Sequence, residues 1–381
     1  MSIRRKQPVE IDGYASIYPQ ADAPPEYYEA QSRKMEHDYR LYISKKVLFI
    51  VLCIVGMVVT MGVAVMFGSS GISVMDVYKD IWYHFFNTSK LNATTDWVVF
   101  TMRLPRILTG MVTGASLAIS GAAMQSMLKN PLADPYTTGI SSGASFGFSI
   151  AIVLGITVGG LGGTMGTILT AFVFALIPAA VIIVVSSLKK TSASMMILSG
   201  IAVMYLFNAC TTLIQLMASD TTLSALYRYT TGDLSDSTWT SFYTIAGFTL
   251  VGGGIIWACS KKLNILITGD DVATALGMNA HRLRILLLII ISLMAASVVC
   301  FCGIIGFVGI VAPHLVRLFL GSDNRYLIPA AAAFGALFMM ITDLISRVII
   351  APTFLPVGVI CAFIGAPIFL WLLLKQRKST W

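Results

Sequence analysis

VLFIVLCIVGMVVTMGVAVMF, from Val47 to Phe67, holds no charged side chain along its length and follows directly on Lys45 and Lys46. At 1.5 Å per residue a helix of this length covers roughly 30 Å, the thickness of the hydrocarbon core of a bilayer. The run reads as a membrane span. It is expected to act as its own insertion signal, because residues 1–46 are polar, rich in Pro, Tyr, Glu and Arg, and do not read as a cleavable leader.

Similar apolar runs recur outward from it, near 104–128, 136–158, 162–188, 195–217, 241–258, 284–302, 304–320, 327–346 and 357–374. Composition agrees: 56% of the 381 residues are hydrophobic and 12% charged, against roughly 45–50% and 25% in soluble domains. Unpaired backbone groups are not tolerated in lipid, so the spans are helices. The expected fold is an all-α polytopic membrane protein with about ten transmembrane helices. The stretch Ile285 to Ala312 is too long for one ordinary span and is punctuated by Gly303, Gly306 and Gly309 before Pro313, so it reads as two helices joined by a tight turn.

The net charge of +8 raises nucleic acid as a partner, but lysine and arginine gathered at the ends of apolar runs follow more simply from the positive-inside rule. Ten spans put Lys45-Lys46 and the C-terminal Lys375 to Lys378 on one side, with both termini cytoplasmic. On that topology only Lys79, Lys90, Arg103, Arg106, Arg228 and Arg347 lie outside, leaving 20 of the 26 basic residues inside. The expected domains are a cytoplasmic tail, 1–46, that is disordered or lies on the membrane, a transmembrane domain, 47–375, and a short cytoplasmic tail, 376–381.

Two polar segments interrupt the pattern. Ser219 to Thr240 reads as an extracytoplasmic excursion. The loop at 261–284 is the longest on the cytoplasmic side and reads as helical, since DDVATALG places Val272, Ala275 and Leu276 at helical spacing behind Asp270 and Asp271. Pro131 and Pro135 in NPLADP break a helical pattern and free backbone groups that must be buried in protein or line an aqueous path.

Several chemistries are disfavoured. No GxxxxGK[ST] phosphate loop occurs, no catalytic constellation of carboxylate, histidine and nucleophile is visible, and the six cysteines lie in apolar segments without CxxC spacing. Neither an enzyme, a cofactor site nor a metal site is expected. Among the predicted spans only Asp343 is an acidic residue well inside, with Arg347 four residues on as a potential helical partner. A secondary transporter would need a coupling-ion site of acidic residues on broken helices.

The blocks RLPRILTGMVTGASLAISGAAMQSMLKNPLADPYTTGISSGAS (from Arg103), GFVGIVAPHLVRLFLGSDNRYLIPAAAAFGALFMMITDLISR (from Gly306) and LPVGVICAFIGAPIFLWLLLK (from Leu355) resemble the permease subunits of iron-siderophore, haem and cobalamin ABC importers, the FecCD-like family. The match covers about Arg103 to Lys375. The sequence departs from the family pattern in its long N-terminal tail and in TTGDLSDSTW, from Thr230. The resemblance implies a ten-helix permease that pairs with a second permease around a central path, with two cytoplasmic ATPase subunits and an extracytoplasmic substrate-binding protein. It implies a gate at Asn130, Pro131 and Leu132, a second constriction at Ser192, Ala193 and Ser194, and docking of the binding protein by Arg103, Arg106 and Arg347. It also implies that the inner loop couples to the ATPase through Asp270, Asp271, Leu276 and Gly277. A ferric siderophore is the expected cargo, with haem and cobalamin as alternatives and an ion-coupled secondary transporter as the alternative of another class.

Overall fold

The computed structural model describes residues 25–67, 73–87, 92–189, 193–350, 353 and 355–375, and every regular element among them is helical. In chain order these are α1 (Pro25–Met66), α2 (Val74–Phe86), α3 (Ala93–Trp97), a π-helical stretch (Val98–Arg103) and α4 (Leu104–Leu128). A 3-10 turn (Pro135–Thr138) leads into α5 (Ile140–Val153), α6 (Gly163–Lys189), α7 (Ala193–Gln215), α8 (Asp220–Thr231) and α9 (Trp239–Ala258). Then come α10 (Ser260–Thr268), α11 (Asp270–Ala275), α12 (Ala280–Cys302), α13 (Val308–Leu320), α14 (Asn324–Val348) and α15 (Val357–Lys375).

Seven of these helices are long and apolar enough to cross a membrane, and α5, α13 and α15 are shorter apolar helices. Together they fall at the ten positions where the sequence calls for spans. The shorter ones arise where proline and glycine interrupt the ladder. Thus α12 stops at Cys302 and α13 starts at Val308, with Gly303 at φ 68° and Phe307 at φ 68° turning the chain between them.

The chain divides into two compact units, 1–48 and 49–381. In the first, helix begins at Pro25, where a first-turn proline loses no hydrogen bond. Residues 25–46, expected as a disordered or membrane-lying tail, are therefore helical, and residues 1–24 lie outside the described residues. Once a helix exists, extending it is far easier than nucleating one, and Glu36 and Arg40 pair at i, i+4 with a 2.7 Å contact. Also not foreseen in the sequence are α3, α8 and α2, whose Asp80 accepts a hydrogen bond from the Asn92 N–H at 2.8 Å.

In the second unit α4 is the hub, 78% buried over its most apolar window. Lipid offers no hydrophobic drive for helices to associate, so close backbone approach must supply the attraction. Glycines provide it. A side chain on Gly114 would collide with the Gly335 carbonyl of α14, and one on Gly121 with the Gly309 carbonyl of α13. Gly143 brings α5 against the Phe174 carbonyl of α6 in the same way. Large apolar side chains such as Tyr205, Leu213 and Leu250 instead point outward, as lipid or a partner helix requires.

Candidate functional site

The polar groups that could act in transport collect at the two ends of the bundle. At one end α4 stops at Leu128 and Lys129 takes a left-handed conformation, φ 51°. The next residues fold into a tight turn: the Asn130 N–H donates to the Gln125 carbonyl at 3.1 Å, and the Leu132 N–H donates to the Asn130 side-chain oxygen at 2.9 Å. The Ala133 N–H donates back to the Asn130 carbonyl at 3.1 Å. These bonds satisfy backbone groups that Pro131 and Pro135 leave without a helical ladder. Leu132 remains 45% exposed, and Asn130 and Pro131 are half-buried.

After the turn the chain dives inward. Asp134 is buried, one of its carboxyl oxygens has no hydrogen-bond partner, and that oxygen lies against Gly309 of α13. Gly139, at φ 88°, then packs beside Gly200 of α7. Of the second expected constriction, Ser192 lies outside the described residues, while Ala193 and Ser194 open α7.

The same end carries α10 and α11. Helix α10 is anchored by Asn264, whose amide donates to Asp323 at 2.7 Å and whose oxygen accepts from the Asn324 N–H at 2.8 Å; Asn324 in turn accepts from Ser126 of α4 at 2.9 Å. Helix α11 ends in a Schellman turn, with the Met278 N–H bonded to the Ala273 carbonyl and the Gly277 N–H to the Thr274 carbonyl, both at 2.9 Å. That turn needs a left-handed residue, and Gly277 supplies it at φ 75°. Leu276 is 65% exposed and Val272 45%. Asp271 is also exposed. Asp270 is exposed too, its side chain 49% accessible, but it is paired: both terminal guanidinium nitrogens of Arg284 reach it at 2.7 Å and Lys129 Nζ at 3.2 Å. The Arg284 hydrogen bonds, followed by its charge and that of Lys129, hold the Asp270 carboxyl down at about 2 against the cost of partial burial. Beside it opens a cleft of about 590 Å³ lined by Asp270, Thr274, Met278, His281 and Arg284.

The opposite end holds Arg103, Arg106 and Arg347. All three are buried, at 5%, 7% and 6% exposure, and Arg106 and Arg347 face Asp343, itself 1% exposed. Arg106 Nε donates to one Asp343 oxygen at 2.8 Å and an Arg347 terminal nitrogen lies 2.9 Å from the other. Arg103 donates to the Val65 carbonyl at 2.6 Å and Arg347 to the Ala64 carbonyl at 3.1 Å. Two guanidinium groups thus cover the carbonyl end of α1, the negative pole of its dipole. In this structure the three charges are engaged within the chain rather than offered to solvent.

The network continues to the surface. Arg106 donates to the Ser235 hydroxyl at 3.2 Å, the Ser235 hydroxyl to Asp233 at 2.7 Å, and Arg228 to the other Asp233 oxygen at 2.7 Å. Arg228 and Asp233 sit on the rim of a cavity of about 710 Å³ whose wall includes the stacked rings of Phe148 and Tyr229.

Sequence reasoning brought Asp343 next to Arg347 through their helical spacing. It missed Arg106 as the second partner of Asp343, and Lys129 and Arg284 as the partners of Asp270. No local signal marks these pairs, since Arg106 and Asp343 stand 237 positions apart. No group of three or more His, Cys, Asp or Glu side chains that could hold a metal ion is gathered among the described residues.

A ten-helix bundle among the described residues, centred on one glycine-rich helix, with a broken loop and an exposed short helix at one end, is the architecture of a multi-pass membrane protein. The chain belongs to the FecCD transport family, which matches residues 52–375. It is 32% identical over 344 residues to the Fe(3+)-citrate import system permease protein YfmD of Bacillus subtilis, covering 90% of this chain and 99% of that protein. It is 38% identical over 281 residues to the cobalamin import system permease protein BtuC of Halobacterium salinarum, covering 74% of each. A chain solved in an inward-facing conformation of a metal-chelate type ABC transporter superimposes with a TM-score of 0.75 at 28% identity, covering 86% of this chain and 99% of that one. The protein is accordingly the membrane permease of an ABC importer and not an enzyme, and importers of this class work with ATPase subunits and a substrate-binding protein.

Proposed function

We propose that the chain imports a ferric chelate, received from an extracytoplasmic binding protein and released into the cytoplasm through the turn at Asn130, Pro131 and Leu132. Likeness to the Fe(3+)-citrate permease along nearly the whole of both chains supports an iron chelate. The cobalamin permease, alike over a shorter stretch, makes cobalamin the second reading. Two copies of the chain, or this chain and a paralogue, enclose the path, with Ala193 and Ser194 at the start of α7 contributing a second constriction beside Ser192.

The observation that carries the proposed orientation is α11. It is a short helix outside the apolar bundle with Val272 and Leu276 turned to solvent, while its base is tied down by Asp270. This is the form needed to seat in a cleft of an ATPase, and it supports a topology with the α10–α11 end and both termini in the cytoplasm. The arginine end then faces outward. Arg103, Arg106 and Arg347 serve docking by fixing the ends of α1, α4 and α14, the frame of the surface on which an acidic partner lands; the solvent-exposed charges nearby include Arg228 and Asp236.

Cargo is tested by reconstituting the permease with its ATPase and binding protein in liposomes and following uptake of radiolabelled iron as ferric citrate, with cobalamin and haem as competitors. ATP-dependent iron uptake that neither competitor suppresses is expected. Uptake of cobalamin with none of iron would replace the iron reading with the second one.

A further inference from the structure

One carboxylate joins the exposed helix α11 to the turn that follows α4. Asp270 is the first residue of α11. Its partner Arg284 is 4% exposed and uses its remaining Nε to donate to the Met127 carbonyl at 3.1 Å, in the last turn of α4. Its other partner, Lys129, is the residue immediately before Asn130. Asp270 therefore holds the gate segment from two directions, through the Arg284 bridge to Met127 and directly through Lys129.

The rest of α11 has few anchors. Its chain enters through Gly269 at φ 140° and leaves through Gly277 at φ 75°, and a Cβ added at either glycine would meet nothing closer than 3.9 Å. Ala273 is its one buried residue. On the near side α10 is fixed separately, by Asn264 to Asp323 and Asn324. A push on Leu276 and Val272 thus turns α11 about its glycine joints while α10 stays in place, and the stiffest connection that receives the motion is the Asp270 pair. Bidentate guanidinium geometry resists rotation as well as separation, which a single hydrogen bond does not.

We propose that Asp270, Arg284 and Lys129 form a latch of positioning residues that makes the Asn130–Pro131–Leu132 turn follow the displacement of α11. The left-handed backbone at Lys129 is the point where that motion enters the turn. A non-glycine residue at positive φ is held there by its surroundings, so moving the Lys129 side chain shifts the balance between this conformation and the helical one that would extend α4. The latch rests on the reading of α11 as the ATPase contact.

Hydrogen exchange of the assembled importer in lipid nanodiscs, with and without vanadate-trapped ATP, tests both and separates them. In the unaltered complex, trapping is expected to change exchange in peptides covering 126–134 and in those covering α11. In Lys129→Ala and in Asp270→Asn the α11 change persists, while the change at 126–134 shrinks by about fivefold or more, the size of a coupling of about 1 kcal/mol. Lys129→Arg keeps the response, which a merely destabilising change at this exposed site would not explain. A response at 126–134 in Lys129→Ala and Asp270→Asn equal to that of the unaltered complex overturns the latch alone. An α11 that does not respond in the unaltered complex overturns the ATPase contact and the latch with it.

Discussion

Replacing Asp343 by asparagine keeps the shape of the side chain and removes the one carboxylate that faces both Arg106 and Arg347. Its oxygens lie 2.8 Å from Arg106 and 2.9 Å from Arg347, with all three side chains at most 8% exposed. Removing one partner of a buried ion pair costs about 3–5 kcal/mol, chiefly because the other charge stays buried and uncompensated. Here two guanidinium groups lose their counter-charge at once, which sets the expectation at the upper end, a factor of roughly several thousand in the folded population. Arg103 and Arg347 also cover the carbonyl end of α1, so the damage should spread to the α1–α14 contact. Thermal unfolding of the detergent-solubilised protein, followed by a thiol-reactive dye, reads this directly, because Cys300, Cys302 and Cys361 are 4% exposed or less and become reactive on opening. Asp343→Asn should unfold far below the parent, and adding Arg106→Gln should recover part of the loss by removing a surplus charge. By contrast Arg228→Gln, at an exposed pair worth about 0–1 kcal/mol, should hardly move the transition. An Asp343→Asn protein as stable as its parent would refute the claim that this cluster holds the bundle together.

Three further outcomes follow from other parts of the structure. Gly121→Ala sets a methyl against the Gly309 backbone, where no side chain can yield, and should destabilise by at least about 1–3 kcal/mol. Gly247→Ala, with nothing within 4 Å of the added carbon, should be neutral or gain up to about 1 kcal/mol from helix propensity; equal transitions for the two variants in the same assay would contradict the packing. Leu276→Asp should leave membrane abundance unchanged and lower recovery of the ATPase on co-purification by tenfold or so, about 1.4 kcal/mol, and undiminished recovery would move the ATPase contact elsewhere. Asp270 is held at about 2 by Arg284 first and then Lys129. A carboxyl with a depressed folded value contributes stability that is fully present above about pH 4 and lost as pH falls through about 2, so the exchange signature of the latch should be intact at about pH 4 and disappear only as pH falls through about 2. Loss already near neutrality would show that Asp270 is not so paired.

The spans were legible in the sequence because lipid imposes a length and a composition on each, independently of its neighbours. The break in the Ile285–Ala312 stretch was legible for a related reason, since glycine and proline act on the local ladder, and the structure turns there at Gly303 and Phe307. The helix over 25–46 was not, because its charged residues carry no apolar stripe. The functional groups divide along the same line. Leu276 and Gly277 follow from local pattern, an exposed apolar residue and a turn glycine. Lys129 and Arg106 owe their roles to partners far away in the chain, as does the Arg284 bond to Met127, and positive charge near a helix end has many uses. Arg103, Arg106 and Arg347 illustrate this: resemblance groups them as one docking set, but only the packing of α1, α4 and α14 shows that their charges are spent inside.

The central claim is that this chain moves its cargo only when a separate ATPase works on α11. Uptake of radiolabelled ferric citrate into liposomes holding the permease alone, the permease with its ATPase and binding protein, and the same assembly with Leu276→Asp, measures that claim most directly. ATP-dependent uptake by the full assembly is expected, with none by the permease alone and little by the Leu276→Asp assembly. Uptake by the permease alone, driven by an ion gradient and indifferent to ATP, would contradict the account.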